Sequence, residues 1–183
     1  MSHPGRGSGR LASLDTFLAI ASKREVRSYA DRPVPEEVVE RVLAAGRVTG
    51  SSMNRQPWRF LVLAGDDLRA AVAETVYTPA NLAGAALAIA IVVSGGRTAD
   101  FDAGRAAQSM MLAASNDGVG SSPNGVADRG RFAELVGLGE DERAAIVLSF
   151  GYPARPRRAE DRTAEEWIER ARRKPASEVV SRL

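Results

Sequence analysis

Apolar residues along the chain follow two spacings, which predict a mixture of helices and strands. Spacings of three and four predict helices over residues 13–22, 36–47, 67–77, 101–116, 129–136 and 163–173. Short apolar runs predict strands over 59–63, 87–94 and 144–150. Because the strands fall among the helices without regular alternation, the pattern favours an α+β fold over a doubly wound sheet.

Local residues predict where several of these elements begin and which faces they bury. Ser13 is a candidate N-cap for the first helix, Pro35 suits the first position of the second, and Asp66 is a candidate cap for the third. In the first helix Leu14, Phe17, Leu18 and Ala21 fall on one face. The second helix is predicted to bury Val38, Val39, Val42 and Leu43.

Polar and small residues separate these elements and suggest how the domain is organised. Loops are predicted over 49–58 and over 118–125, and a final extended arm over 176–183. Residues 1–10 are predicted to be a disordered tail. Residues 11–153 are then the core, and 154–183 a charged C-terminal extension of the same domain.

Composition narrows the chemistry that the chain can carry out. The 183 residues include no cysteine and one histidine, His3. This excludes a disulfide framework and thiolate metal sites, and it argues against a histidine-based triad or a metal centre. An enzyme of this composition would use Asp, Glu, Tyr or Ser, or a bound organic cofactor.

Basic residues are concentrated at the two ends of the chain. Residues 1–10 carry a net charge of +2 and residues 154–183 a net charge of +3, while the body between them is net −3. This distribution argues against a nucleic-acid-binding face on the folded body, although binding of nucleic acid or a partner through the basic ends stays an alternative. The apolar run 82–93 is too short to span a bilayer, so no membrane association and a cytoplasmic location are expected.

Three segments could carry chemistry, and each also has an ordinary structural interpretation. Lys23, Arg24 and Arg27 could bind a phosphate, or could be an exposed helix end. The segment 50–56 offers hydroxyls and amides for a polar ring, or is a turn before Pro57. The glycine-rich segment 118–125 lets backbone approach a flat ligand, or is a connector.

Taken together and in order, these segments resemble the nitroreductase family of FMN-dependent oxidoreductases. The similarity is carried by K-R-E-V-R-S-Y at 23–29, by G-S-S-M-N-R-Q-P-W at 50–58, and by the small-residue segment 118–125. It continues through G-R-A-A-Q-S-M-M-L-A-A at 104–114 and G-Y-P at 151–153, and covers residues 12–182. The resemblance implies a nitroreductase-like fold, with a mostly antiparallel central sheet flanked by helices.

The resemblance also implies a cofactor and a partner. It predicts a homodimer with an exchanged C-terminal arm and FMN at the subunit interface. Lys23, Arg24, Arg27 and Arg173 would hold the phosphate and neighbouring polar parts of FMN. Gly50, Ser51, Ser52, Asn54 and Gln56 would form the loop that reaches the flavin of the partner subunit. Pro123, Asn124 and Gly125 would lie against the isoalloxazine ring, with backbone N–H groups near N5.

The implied activity is ping-pong hydride transfer from NADH or NADPH through FMN to a small organic acceptor, nitroaromatic or quinone-like. In that chemistry the flavin reacts and no side chain is a required acid or base. A flavin-binding or sensor module with little turnover is the alternative, since Glu25 stands where the family usually has serine. A carboxylate there would repel a bound phosphate unless it pairs with Arg24 or Arg27.

Overall fold

The computed structural model describes residues 15–155 and 162–183. These residues fall into two compact units. The larger unit contains the described residues from Arg24 to Arg155, and the smaller contains 15–23 together with 162–183. The predicted tail 1–10, Ser13 and Leu14 lie outside the described residues.

The larger unit is built on a four-stranded antiparallel sheet. Its strands are β1 (Trp58–Val62), β2 (Leu87–Ser94), β3 (Gly120–Asn124) and β4 (Glu142–Gly151), in the order β1-β2-β4-β3. The register pairs Phe60 with Ile91, Ile89 with Leu148, and Ser122 with Ser149. The predicted antiparallel sheet of an α+β fold is therefore confirmed.

Helices cover both faces of this sheet. They are α2 (Glu36–Arg47), α3 (Asp66–Ala73), α4 (Ala80–Ala83), α5 (Arg97–Asn116) and α6 (Arg129–Val136). One core joins α2 and α5 to alternate residues of β2, including Ile89 and Ile91. The other joins α3 and α6 to the intervening Ala88 and Ala90. Because both faces of β2 are buried, its sequence is a continuous apolar run rather than an alternating one.

Several predicted elements are confirmed, and some of their boundaries are corrected. The bounds of α2, β2 and α6 are those predicted. Within α2, Val38, Val39 and Val42 are buried, whereas Leu43 is half-buried. Pro35 is the N-cap residue of α2 rather than its first helical residue, and Gly65 rather than Asp66 caps α3. The third helix ends at Ala73, and α5 begins at Arg97, one turn earlier than predicted.

The predicted loop over 118–125 is wrong, because its centre forms the edge strand β3. Gly-Ser-Ser-Pro-Asn has a low intrinsic strand preference, and Pro123 cannot donate a ladder hydrogen bond. Pairing with β4 imposes the extended conformation, with Ser121 opposite Phe150 and Pro123 opposite Leu148. A proline is tolerated there because β3 is the outermost strand of the sheet.

The smaller unit contains three short helices, and α1 lies against α7. They are α1 (Thr16–Ser22), α7 (Ala164–Arg170) and α8 (Ala176–Val179). The Asp15 side chain caps α1 by accepting from the Leu18 amide, and Thr163 and Glu166 form a capping box on α7. Of the predicted apolar face of α1, Phe17 is exposed. The predicted extended arm over 176–183 is corrected at its start, where α8 forms.

Candidate functional site

The segment carrying Arg24 and Arg27 lies between the start of β3 and the end of β4. The Val26 amide donates to the Ser121 carbonyl at 2.9 Å, and Glu25 bridges to Ser121 in parallel. Beyond the turn, the Ala154 amide donates to the Ser28 carbonyl at 3.0 Å. Backbone hydrogen bonds to β3 and to the segment that follows β4 thus fix the position of this basic turn.

A groove of about 490 Å³ opens beside the turn. It is lined by Glu25, Val26, Arg27, Ser28 and by residues 153–155. Two arginines, Arg27 and Arg155, and one acidic residue, Glu25, are therefore among the lining residues. Arginine stays charged and can donate two parallel hydrogen bonds to a phosphate, so the groove has the chemistry of a phosphate site.

The hydroxyl group of Tyr29 anchors the turn through hydrogen bonds. Its hydroxyl donates to the Val26 carbonyl at 2.6 Å and lies 2.9 Å from Ser149 Oγ. Burial raises the pKa of Tyr29 to about 12, partly offset by its hydrogen bond with Ser149. Tyr29 therefore remains a neutral hydrogen-bonding anchor throughout the physiological pH range.

The strand β3 carries buried polar groups beside this turn. Asn124 Nδ2 donates to the carbonyls of Ser122 and Val147 and to Ser149 Oγ, each at 3.1 Å. Asn124 Oδ1, Ser121 Oγ and Ser122 Oγ are buried and have no hydrogen-bond partner among the described residues. Buried polar atoms are ordinarily paired, so these three oxygens are exceptions within the described residues.

Pro123 and Gly125 are also predicted to contact the flavin ring, and both are more exposed than the buried Asn124. Pro123 is exposed and lines a second groove, of about 500 Å³, together with Met111, Arg129 and Arg143. Gly125 accepts from the Tyr77 amide through its carbonyl at 3.1 Å. A Cβ at position 125 would lie 3.1 Å from Cδ2 of the Tyr77 ring, so the absence of a side chain allows this close approach.

The loop 50–56 folds on itself and includes a short 3₁₀ turn, Ser52–Asn54. Ser51 Oγ accepts from the Gln56 amide at 2.8 Å, and Gln56 Nε2 donates to Asn54 Oδ1 at 3.3 Å. Met53, Asn54 and Gln56 have φ angles of 52°, 54° and 50°. The left-handed region costs about 1–2 kcal/mol for a residue with a side chain. Such strain is concentrated at functional sites.

Asp102 on α5 holds this loop and is a site residue that sequence reasoning missed. Its Oδ2 accepts from the Ser52 amide at 2.9 Å, and its Oδ1 lies 3.6 Å from Arg105 NH1. The signal in the sequence is a carboxylate on the buried alanine-rich stripe of α5, which includes Ala99 and Ala106. Charged residues are seldom fully buried unless paired, so this position indicates a specific partner.

The structure brings some of the predicted site residues together. Within the larger unit, Arg24 and Arg27 lie in the turn that pairs with β3, whose far end carries Pro123 and Asn124. The loop 50–56 is instead attached to α5, beside a groove of about 650 Å³ that includes Gly50 and Arg105. Lys23 and the exposed Arg173 belong to the smaller unit.

Other kinds of site were searched for in the described residues. Over 15–155 and 162–183, no group of three or more His, Cys, Asp or Glu residues is placed to hold a metal ion. Within the same ranges no helix has the length and apolarity needed to cross a bilayer.

Comparison with known proteins defines the class. The family model described as the Nitroreductase family matches residues 20–94 and 78–152, which together span most of the chain. The chain therefore belongs to the Nitroreductase family. It is also 29% identical over 155 residues to a protein of Methanothermobacter thermautotrophicus that is named NADH dehydrogenase/NAD(P)H nitroreductase. That match covers 80% of this chain and 81% of the relative.

Solved structures share the fold. A nitroreductase family protein of Clostridium difficile superposes with a TM-score of 0.76 and 24% identity, covering 92% of this chain and 98% of the other. NADPH:FMN oxidoreductase from Vibrio harveyi, solved in complex with NAD⁺, superposes with a TM-score of 0.75 and 20% identity. It covers 90% of this chain and 75% of its own. The predicted nitroreductase-like fold is thereby confirmed, and family membership supports an oxidoreductase.

Proposed function

We propose that this protein is an FMN-dependent NAD(P)H oxidoreductase that acts as a homodimer with FMN at the subunit interface. The observation that carries the proposal is the basic turn of Arg24 and Arg27, which is hydrogen-bonded to the edge strand β3 and lies beside a groove of about 490 Å³. Such a site offers cations for a phosphate at one end and polar groups for a heterocycle at the other. Both ends of FMN require those groups.

The phosphate end fits the groove beside the turn. Arg27 and Arg155 line about 490 Å³ there, which is room for a phosphate monoester and part of its ribityl chain. We propose that Arg24 and Arg27 bind the phosphate, whereas roles for Lys23 and Arg173, which belong to the smaller unit, rest on the family resemblance alone. Glu25 lowers the positive potential of the same groove, so this phosphate site is weaker than one with serine at position 25.

The ring end fits the segment 123–125. Exposed Pro123 offers a flat apolar surface for the ring. We assign Pro123, Asn124 and Gly125 to the ring, with backbone N–H groups of the segment directed at its reactive edge.

A second subunit completes the proposed site. The loop that contains Gly50, Ser51, Ser52, Asn54 and Gln56 would reach the flavin of the partner. Around this loop and the start of α5, the apolar side chains of Val48, Met53 and Phe101 are 72%, 81% and 70% exposed. Clustered exposed apolar side chains mark interaction surfaces, which supports burial of this region against a second copy, with the C-terminal arms exchanged.

Bound FMN would supply hydride-transfer chemistry between NAD(P)H and a small organic acceptor, in the alternating order of a ping-pong reaction. The chain's own residues bind and orient the reactants, which agrees with a sequence that has no cysteine and a single histidine. The groove of about 500 Å³ beside Pro123 has an apolar floor that includes Ala107 and Met111, and it suits a flat nitroaromatic or quinone-like acceptor.

The test measures FMN binding by wild-type protein and by Arg27→Ala. A charge-assisted hydrogen bond contributes about 1.5–3 kcal/mol, so Arg27→Ala should raise the Kd for FMN by about tenfold or more. Binding of riboflavin, which lacks the phosphate, should change little. The matched control is Arg97→Ala, an exposed arginine at the start of α5. A wild-type protein that binds no FMN, or an Arg27→Ala variant with unchanged FMN affinity, would contradict the assignment.

A further inference from the structure

Asp102 is a buried carboxylate whose hydrogen bonding joins α5 to the loop 50–56. It is 2% exposed and lies among the buried alanines of α5. Its two oxygens have different partners, since Oδ2 accepts from the Ser52 amide at 2.9 Å and Oδ1 faces Arg105 at 3.6 Å. A carboxylate held in this way is costly to bury, and so its position is specified by the groups that it binds.

The loop attached to Asp102 has a conformation that its own sequence does not favour. Met53 and Asn54 are consecutive left-handed residues, and Gln56 is a third. Met53 is 81% exposed, so packing of its side chain does not hold it in this conformation. Asp102 accepts from the backbone amide of Ser52, and Ser52 is the first residue of the 3₁₀ turn. Residues in sparsely populated backbone regions persist only where surrounding contacts determine them.

We infer that Asp102 is a positioning residue for the flavin ring, acting through the loop 50–56. The inference depends on the proposed function, because it assumes that this loop contacts the ring of the partner's flavin. Asp102 itself need not touch the cofactor. Its carboxylate sets the position of Ser52 and, through it, the backbone of Met53 and Asn54.

The experiment compares binding of two ligands, FMN and riboflavin, by full-length Asp102→Ala protein. Since the loop is assigned to the ring, both Kd values should rise by the same factor, about fivefold or more, for loss of a charge-assisted anchor. The ratio of the two Kd values should stay at the wild-type level. Arg27→Ala should give the opposite signature, with a changed ratio, because Arg27 is assigned to the phosphate.

Two further variants separate positioning from stability. Asp102→Asn keeps an oxygen that can accept from the Ser52 amide, so it should restore both affinities to within about twofold of wild type. Asp117→Ala removes a half-buried carboxylate paired with Arg41 at the other end of α5, about 22 Å away, and should leave both affinities within about twofold. If Asp102→Ala does not fold, Asp102→Ser takes its place, since its hydroxyl is one atom too short for the same contact.

The outcomes distinguish the inference from the proposed function on which it depends. Wild-type protein that binds neither ligand refutes the proposed function. The inference alone is overturned if wild type binds both ligands but Asp102→Ala binds them equally well. It is also overturned if Asp102→Ala weakens FMN only, or weakens binding no more than Asp117→Ala does.

Discussion

Substitution of Gly120 by alanine tests how the basic turn is held against the sheet. Gly120 is the first residue of β3 and pairs with Gly151 on β4. A Cβ built at position 120 would lie 2.5 Å from Val26 Cγ2, 2.6 Å from Val26 Cβ and 2.9 Å from Val26 Cγ1. Because three atoms of one side chain are too close, rotation of Val26 alone cannot relieve the overlap, and the turn must move.

The expected loss of stability can be worked out from the contacts of the turn that the new methyl group disturbs. Overpacking of a buried contact costs about 1–3 kcal/mol. Lengthening of the Val26 amide to Ser121 carbonyl hydrogen bond, now 2.9 Å, costs about 0.5–1.5 kcal/mol more. Alanine also restricts the unfolded chain more than glycine does, which raises the free energy of unfolding by about 0.4–1 kcal/mol. The free energy of unfolding should therefore fall by about 0.5–4 kcal/mol in the Gly120→Ala variant.

Urea denaturation followed by circular dichroism measures this change. The midpoint should fall while the slope with denaturant stays constant, since the variant alters stability and not the surface exposed on unfolding. Gly130→Ala is the matched control, because a Cβ there would lie no closer than 3.8 Å to Asp128 Oδ1. Gly130 is inside α6, so alanine should stabilise that variant by up to about 1 kcal/mol.

A second substitution locates the clash. Val26→Ala removes the two Cγ atoms but leaves the Cβ at 2.6 Å from the new methyl group. The double variant should therefore recover part of the lost stability and not all of it. Equal stability of Gly120→Ala and wild type would refute the reasoning. So would a double variant in which the two effects simply add, since residues in contact are expected to couple.

Three other predictions concern charge and pH. Because burial raises the pKa of Tyr29 to about 12 from 10.0, the unfolded chain loses this proton first, and stability should fall between pH 10 and pH 12 by about 1–2 kcal/mol. Denaturation of Tyr29→Phe over that range should lack this component. The bidentate contact with Arg59 holds the pKa of Glu142 at about 2, so its stabilising contribution is present above pH 4.5 and is lost as the pH falls toward 2. Glu142→Gln should show a shallower acid dependence in the same assay, and an unchanged one would contradict the pairing. Glu25→Ser should tighten FMN binding about fivefold, from removal of about 1 kcal/mol of repulsion in the Arg27 groove, and a weaker Kd would place the phosphate elsewhere.

Much of the fold could be predicted from local sequence where burial is uniform. The eight-residue strand β2 is apolar up to Val93 because the sheet is covered on both faces, and α2 buries a regular stripe that includes Val38 and Val42. In contrast, Gly-Ser-Ser-Pro-Asn forms β3 only because β4 offers a partner far along the chain. Such a strand is specified by tertiary pairing, which overrides local preference.

The sequence predicts which segments contribute to the candidate site, but it does not predict how those segments contact one another. The motifs around Arg27 and Asn54 identified the family, which the comparisons confirmed. The contact of Val26 with Ser121 is long-range, and the attachment of Ser52 to Asp102 joins residues 50 positions apart. Neither contact has a periodic signal in the sequence, so both required the structure. The roles of the individual site residues, the FMN dimer and the cytoplasmic location stay predictions.

The most direct test of the proposed function is an anaerobic titration of purified protein reconstituted with FMN. NADH or NADPH should bleach the flavin absorbance near 450 nm in stoichiometric amounts, and a nitroaromatic or quinone added afterwards should restore it. Flavin that stays bound but is bleached by neither nicotinamide would contradict an oxidoreductase and favour a binding or sensor module. Protein that binds no FMN would contradict the proposed function itself.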